Sequence, residues 1–195
     1  MSSISALANI HLKGQYGDYE GKNENNLLKI YEKKNLLIVQ IVQYKNSTVS
    51  FEDFDVDGLK FKNEPLNVIN NNDTRILWNG PKNWLLVSTK KRLLKNISEK
   101  FIESDFAVTD LSHSRAIFEI EGKNVKEVLK KGCPFNFNIL EKNNSINSTY
   151  NGIAFTLDIL DNNPNKIRVF ALRSFGESFY HSITDAALEY GYVGI

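Results

Sequence analysis

Few residues in this chain could do chemistry. There is one cysteine, Cys133, and it stands in Gly-Cys-Pro at the end of a predicted helix. A reactive thiolate forms most readily at a helix N-terminus or beside a cation. The C-terminal pole works against it, and although Lys130 and Lys131 are near in sequence, Cys133 reads as a small packed thiol. Asp110, Ser112, His113 and Ser114 superficially offer an acid, a base and a nucleophile. They crowd the end of one predicted strand, where successive side chains point to opposite faces, whereas a triad needs groups converging from separate elements. The reading adopted is a turn in which Asp110 and Ser112 bond backbone. His11, His113 and His181 are scattered, and no H-x-x-x-H or second cysteine supports a metal site. Gly80-Pro81 and Gly132 are isolated, so neither a phosphate-cradling loop nor a dinucleotide fingerprint is present. Arg115 and Arg173 stand at strand edges, where each could bind a carboxylate. Structural ion pairs are the preferred reading over partner contacts.

The elements that must position these residues follow from periodicity. Asn35 to Gln43 is apolar and β-branched and predicts a strand. Ser47 to Gly58 fits a short helix or an irregular strand, and Lys62 to Thr74 reads as a loop. Arg75–Trp78 and Trp84–Ser88 flank the turn residues NGPKN and predict a hairpin. Thr89 is placed to cap a helix whose face carries Leu93, Leu94, Ile97, Phe101 and Ile102, although its first turn is cationic. Arg115 to Glu121 predicts a strand with Ala116, Phe118 and Ile120 on one side. Asn124 and Glu127 suggest a capping box for a short helix burying Val125, Val128 and Leu129. After a polar loop, Asn138 to Asn147, the stretches 152–160 and 166–172 predict a second hairpin around DNNPN. Ser174 and Glu177 then open a helix with the stripe Phe175, Phe179, Ile183, Ala186, Ala187 and Tyr190, ended by Gly191 with Tyr192 folding back. Trp78, Trp84, Phe118, Phe155 and Phe170 alternate on strands and read as core.

Both halves therefore read as strand, helix, hairpin, helix. The fold expected is α+β, with two β-α-β-β-α-like half-units, mostly antiparallel sheet and an internal pseudo-repeat. The expected division is an N-terminal arm over residues 1–30 and a single domain over 31–195, with half-units of about 31–105 and 106–195. The arm is broken by Gly14, Gly17 and Gly21 and has no sustained period, yet it carries Ile4, Leu7, Ile10, Leu12, Tyr16 and Tyr19. Such a segment gains little from its own fold, so it is expected to pack on a partner.

Composition bounds the function classes. With 42% hydrophobic residues, the 195-residue chain can bury a sizeable core. A formal net charge of +1, from 24 basic and 23 acidic residues, gives no global case for nucleic acid or an anionic membrane. The Asn- and Lys-rich stretches read as the drift of an A/T-rich genome, so neither the run Lys90, Lys91, Arg92 nor the Asn-x-Ser/Thr sequons carry weight. No apolar run approaches the roughly 20 residues that span a bilayer, no leader is evident, and a single cysteine suits a reducing compartment. The expected location is cytoplasmic.

Several strings together resemble the γ subunits of heterotetrameric sarcosine oxidases. They are SAL (Ser5–Leu7), LLIVQ (Leu36–Gln40), LWNGPKNWLLV (Leu77–Val87), VTDLSHSRAIFEIEG (Val108–Gly122), VLKKGCPFNF (Val128–Phe137) and RSFGESFYHSITDAALEYGY (Arg173–Tyr192). The resemblance covers nearly the whole chain, and its order is more specific than any single string. It implies a non-catalytic structural subunit, with a fold related to the folate-binding domain of aminomethyltransferases. The partners implied are α, β and δ subunits that together oxidatively demethylate sarcosine. FAD, FMN, NAD and tetrahydrofolate are implied on those partners, with no cofactor, catalytic or metal residue on this chain. The partner-interface candidates are Ile4, Leu7, Ile10, Tyr16, Tyr19, Arg115 and Arg173. Two alternatives stand beside this reading. One is the equivalent subunit of an N-methylglutamate dehydrogenase. The other is a free-standing folate-binding protein, for which Asp110 and Asp158 are the acidic candidates.

Overall fold

The computed structural model describes residues 4–195. The chain forms two compact units, one of Asn35–His113 with Asn143–Ile146, the other of the described residues up to Lys34 with Ser114–Lys142 and Asn147–Ile195. This replaces the expected arm and single domain over 31–195. Strand pairing gives the reason. Gly14–Tyr16 pairs with Tyr192–Gly194, and Leu28–Glu32 pairs with Arg115–Glu121, Ile30 standing opposite Ile120. The segment with no period of its own is thus built into a sheet whose other strands come from much later in the chain.

The unit around 35–113 is a five-stranded antiparallel sheet in the order 68–70, 74–80, 83–88, 37–43, 106–110. The Trp78–Trp84 hairpin forms as expected, with Lys82 in the left-handed region at φ 55°. One helix, α1 (Leu93–Lys100), buries Leu93 and Ile97 against this core, followed by Phe101. Ile102, placed on the buried stripe by its spacing, is 55% exposed because the helix has already ended.

The ambiguous segment 47–58 becomes a 3₁₀ turn, Phe51–Asp53, and a two-stranded ribbon, Asp55–Val56 with Leu59–Lys60. It takes the place of the first helix expected in this half. Its aromatics explain why neither period was visible, since they are spaced to reach one cluster. Phe51 lies 5.2 Å from Trp84, Phe54 lies 5.0 Å from both Phe101 and Phe106, and Phe61 joins Trp84 and Phe101 at 5.3 and 5.4 Å. Offset and edge contacts of this kind add about 0.5–1.5 kcal/mol each beyond burial. The Trp84 indole N–H, fully buried, donates to the Lys62 carbonyl at 2.7 Å. Residues 68–70, expected in a loop, add an edge strand.

The other unit is a seven-stranded sheet in the order 14–16, 192–194, 28–32, 115–121, 165–172, 153–162, 145–150. Its 192–194 and 28–32 strands run parallel, whereas 14–16 with 192–194, 28–32 with 115–121, 115–121 with 165–172 and 165–172 with 153–162 are antiparallel. The core of the repeat is visible in the strand orders. In each unit a hairpin pairs through its second strand with the first strand of the half. One face of the sheet carries Ala116, Phe118, Ile120, Ile167, Val169, Ala171, Phe155 and Leu157, all buried. Helices α2 (Val125–Lys130) and α3 (Gly176–Ala187) belong to this unit, and Phe179 of α3 meets Phe118 at 5.4 Å and Phe155 at 5.3 Å. Each such fully buried side chain contributes about 1.5–3 kcal/mol.

None of the three expected side-chain caps forms. Arg92, Asn124 and Phe175 precede the helices without a capping side-chain bond. At α3 a 3₁₀ turn, Arg173–Phe175, substitutes, and its Arg173 carbonyl accepts from the Gly176 amide. Gly176 is required by close approach, because a Cβ there would lie 2.7 Å from Ala116 Cβ. Two members of the expected α3 stripe fall outside it. Phe175 sits in the 3₁₀ turn and is 49% exposed, and Tyr190 lies in the turn after the helix. Gly191, at φ 74°, lets the chain reverse while a Cβ would strike the Asp18 carbonyl at 2.4 Å. Tyr192 therefore enters the sheet, and its side chain folds back on the helix through a hydrogen bond with Thr184.

Candidate functional site

The opposite face of the seven-stranded sheet carries charge. Arg115, Glu119 and Glu121 alternate with Ala116, Phe118 and Ile120 on one strand, and Lys166 and Arg168 alternate likewise on the next. Register places Glu119, Arg168 and Asp158 side by side across three strands. Glu119 is 2% exposed and Asp158 is fully buried. Arg168 donates to Glu119 Oε1 through Nε at 2.9 Å and Nη2 at 2.7 Å. Lys33 and Lys166 approach Glu119 Oε2 at 3.5 and 3.7 Å. A carboxylate so surrounded is matched in place rather than offered to a substrate, because burying it unpaired would cost several kcal/mol.

The cluster continues to the sheet margin. Tyr31 donates its hydroxyl to Glu121 Oε2, Lys166 pairs with Glu121 at 3.0 Å, and Lys166 lies 5.1 Å above the Tyr31 ring. Burial, then the bond to Glu121, pushes the Tyr31 phenol well above its usual range. The Tyr31 hydroxyl and Lys166 hold Glu121 below the usual carboxylate value against its own desolvation. The phenol is thereby a weak acid and Glu121 a weak base, which suits a fixed network.

The residues singled out in the sequence fall into three groups. Asp110 and Ser112 form the expected turn. Asp110 Oδ1 accepts from the Ser112 amide at 2.9 Å and hydroxyl at 2.5 Å, while Ser112 Oγ accepts from the Ile38 amide at 3.0 Å. His113 is exposed. Cys133 is buried beyond α2, with Sγ 3.2 Å from Ser148 Oγ and its amide bonded to the Leu129 carbonyl. Among the described residues no group of three or more His, Cys, Asp or Glu is arranged to hold a metal ion.

The interface candidates separate. Leu7 is fully buried, its amide bonded to Glu32 Oε1 at 3.2 Å and its side chain packed near Gly176, so it is part of the core rather than a partner contact. Tyr16 is half-buried and stacks on Tyr192 at 5.1 Å. Ile10 and Tyr19 are also half-buried. Ile4 is 75% exposed, and its carbonyl accepts from Arg173 Nη2. The Arg173 amide in turn bonds to the Ser114 carbonyl at 2.9 Å, next to Arg115. The structure thus ties Ile4 to Arg173, while Arg115 lies in register with Glu119 and Glu121 on the charged face of the sheet.

Among the described residues neither arginine makes the ion pair preferred from the sequence. Among the described residues the Arg115 guanidinium bonds to the Ser114 carbonyl and hydroxyl, at 3.4 and 3.1 Å, and burial pulls its pKa down. The Glu119–Arg168 ladder was not anticipated, although two strands with charges at alternate positions, E-I-E and K-I-R, carried the signal. Also in this unit is an open cleft of about 720 Å³, lined by Lys22, Asn26, Lys123, Asn162, Asn165 and Tyr190 among others. Lys22 is already paired with Asp18 at 2.6 Å.

The architecture is that of a known class of α+β proteins. The chain superposes over 97% of its length on 97% of a chain in heterotetrameric sarcosine oxidase from Corynebacterium sp. U-96 in complex with pyrrole 2-carboxylate, with a TM-score of 0.82 and 21% identity. It also matches glycine cleavage system aminomethyltransferase T from Bartonella henselae, with a TM-score of 0.64 and 11% identity over 88% of this chain and 49% of that one. No family model matches the sequence, and no curated protein matches it. At these identities the likeness establishes the fold.

Proposed function

We propose that this chain is a non-catalytic structural subunit, of γ type, in a heterotetrameric oxidase of the sarcosine oxidase kind. The observation that carries the reading is the end-to-end match, 97% of both chains at a TM-score of 0.82, to a chain of such an assembly. The aminomethyltransferase match spans only about half of that enzyme, which favours a subunit over a free-standing transferase. On this reading α, β and δ partners carry FAD, FMN, NAD and tetrahydrofolate, and this chain contributes scaffold. The reaction served is oxidative demethylation of sarcosine to glycine, with tetrahydrofolate accepting the one-carbon unit.

The folate-binding alternative retains one specific support, the fully buried Asp158 on a fold shared with an aminomethyltransferase. Asp110 does not help it, being exposed and engaged with Ser112. The register neighbours of Asp158 are those of an ion ladder, which favours a structural carboxylate.

The test is affinity purification of the tagged chain from its native source, with identification of co-purifying polypeptides and assay with sarcosine and N-methylglutamate. Flavin-bearing partners and turnover of sarcosine are expected. Turnover of N-methylglutamate alone would reassign the assembly. Tight folate binding by the isolated chain, with no partner, would overturn the subunit reading.

A further inference from the structure

The five-stranded sheet treats its two edges differently. Outside the strand 68–70, the Val68 amide donates to the Asn143 carbonyl at 3.0 Å and the Ser145 amide to the Leu66 carbonyl at 2.8 Å, so residues 143–145 cover that edge. The strand Phe106–Asp110 ends the sheet on the other side. Its register identifies the backbone groups that remain. The Leu111 amide bonds to the Ile38 carbonyl and the Tyr44 amide to the Asp105 carbonyl, so the odd-numbered residues here turn their backbone groups toward 37–43. Phe106, Val108 and Asp110 therefore turn theirs outward. The Phe106 amide is taken by the Ile102 carbonyl at 3.0 Å. The Phe106 and Val108 carbonyls and the Val108 and Asp110 amides line an edge with no strand beside it among the described residues. Natural edges are commonly blunted by lysine, proline or a bulge, and this one has none of the three. The side chains of Phe106, Val108 and Asp110 share one face. Phe106 is buried in the aromatic cluster, Val108 is half-buried against it, and Asp110 is exposed. From Phe101 to Leu111 the chain carries Glu103, Asp105 and Asp110 and no lysine or arginine.

From this edge we infer that Phe106–Asp110 is completed by an extended segment of a partner polypeptide, which adds a strand to the sheet and sets an apolar side chain beside Val108 and a Lys or Arg beside Asp110. The inference rests on the subunit reading above and names the edge by which the subunit is held. Backbone pairing supplies affinity in such an addition, and side chains at alternate positions supply selection. Asp110 selects the cation, because opposite charges on adjacent strands stabilise the pair. Its bonds from Ser112 leave the carboxylate charged, and Lys91, which lies near it, is held by the Leu36 carbonyl at 2.9 Å. A second copy would bring the same acidic strand, with no cation of its own to meet Asp110.

The experiment uses the assembled complex from the native source and the full chain alone. Hydrogen exchange, read residue by residue, is expected to slow on the order of tenfold or more at the Val108 and Asp110 amides in the complex. The inward amides of Ala107 and Thr109 should already be protected in the free chain. p-Benzoylphenylalanine in place of Thr109, an exposed residue, should cross-link one partner polypeptide, at a peptide with Lys or Arg two residues from an apolar side chain. Val108→Pro removes an outward amide and no bond to 37–43, so it is expected to weaken assembly on the order of tenfold or more while the chain stays folded. Unchanged exchange at Val108 and Asp110 in the complex overturns the edge and leaves the subunit reading standing, whether or not Val108→Pro folds. A cross-link to a second copy of this chain, or undiminished assembly of folded Val108→Pro, does the same. A chain that purifies without any oxidoreductase partner overturns both.

Discussion

Arg168 places two N–H groups, from Nε and Nη2, on a single oxygen of Glu119, while the second oxygen of Glu119 faces two lysines. The pair sits at the centre of the seven-stranded sheet, with Glu119 2% exposed. Removing one partner should therefore cost much more than removing both. Arg168→Met is expected to destabilise by about 3–5 kcal/mol, moderated by Lys33 and Lys166. The double variant Glu119→Met with Arg168→Met should lose less than the sum of the single changes. Urea melts of the four proteins in the cycle measure the coupling, and strictly additive losses would contradict it.

Asp57 supplies a pH dependence. Its carboxylate accepts from Lys90 Nζ at 2.9 Å, Thr74 Oγ1 at 2.7 Å and Asn71 Nδ2 at 3.1 Å. Those bonds, with Lys90 the largest, hold it down to about 2 from an ordinary value near 3.8, against the opposing effect of desolvation. A depressed carboxylate adds stability that is complete above its unfolded pKa and lost as pH falls through the folded one. The window is thus roughly pH 4 down to 2. Asp57→Asn should cost about 1–2 kcal/mol at pH 7 and far less near pH 2. Equal losses at both pH values would show that the charge is immaterial.

Leu7 and Ile4 lie three residues apart with opposite roles. Leu7→Ala should lower the stability of the isolated chain by about 2–5 kcal/mol, since the side chain is fully buried. Ile4→Ser, at a site 75% exposed, should stay within about 0.5 kcal/mol. Thermal melts of both variants suffice. A neutral Leu7→Ala would return the N-terminal segment to the status of an arm.

Cys133 packs beside the Ser148 hydroxyl at 3.2 Å. Cys133→Ser can keep a hydrogen bond there, so the expected loss is about 1 kcal/mol, the low end for burying a hydroxyl. Catalytic turnover of an assembled complex should survive wherever the chain is folded. Loss of turnover at an unchanged melting temperature would assign the thiol a chemical role.

Much of the fold was legible in local pattern, because hairpins and amphipathic helices announce themselves within a dozen residues. Arg115–Glu121 forms as read, and Phe179, Ile183 and Ala187 lie on the buried face of α3 as their spacing required. What could not be read depends on residues distant in the chain. Phe51 and Phe54 follow no period because Trp84, Phe101 and Phe106 define their positions. Gly14–Tyr16 is too short to signal a strand and is one only because Tyr192–Gly194 pairs with it. Ser174 looked like a cap, but the 3₁₀ turn through Arg173–Phe175 supplies the bond instead. Residue types singled out Arg115 and Arg173 as cations to be paired but misjudged their partners, since whether a cation finds a carboxylate depends on neighbours distant in the chain.

The strand Tyr192–Gly194, lying between Gly14–Tyr16 and Leu28–Glu32, has a consequence for synthesis. A nascent chain emerges N-terminus first. The segment from Ile4 to Lys34 leaves the ribosome before either strand that will flank it has been made. Residues 35–113, by contrast, have nearly all their own pairing partners close behind. This segment is thus made before its partners and locked after them, and it waits as an unpaired ribbon. Protease challenge of ribosome-stalled chains should find residues 35–113 protected while 4–34 are still cut. Equal protection of both would mean that the N-terminal strands find another shelter first.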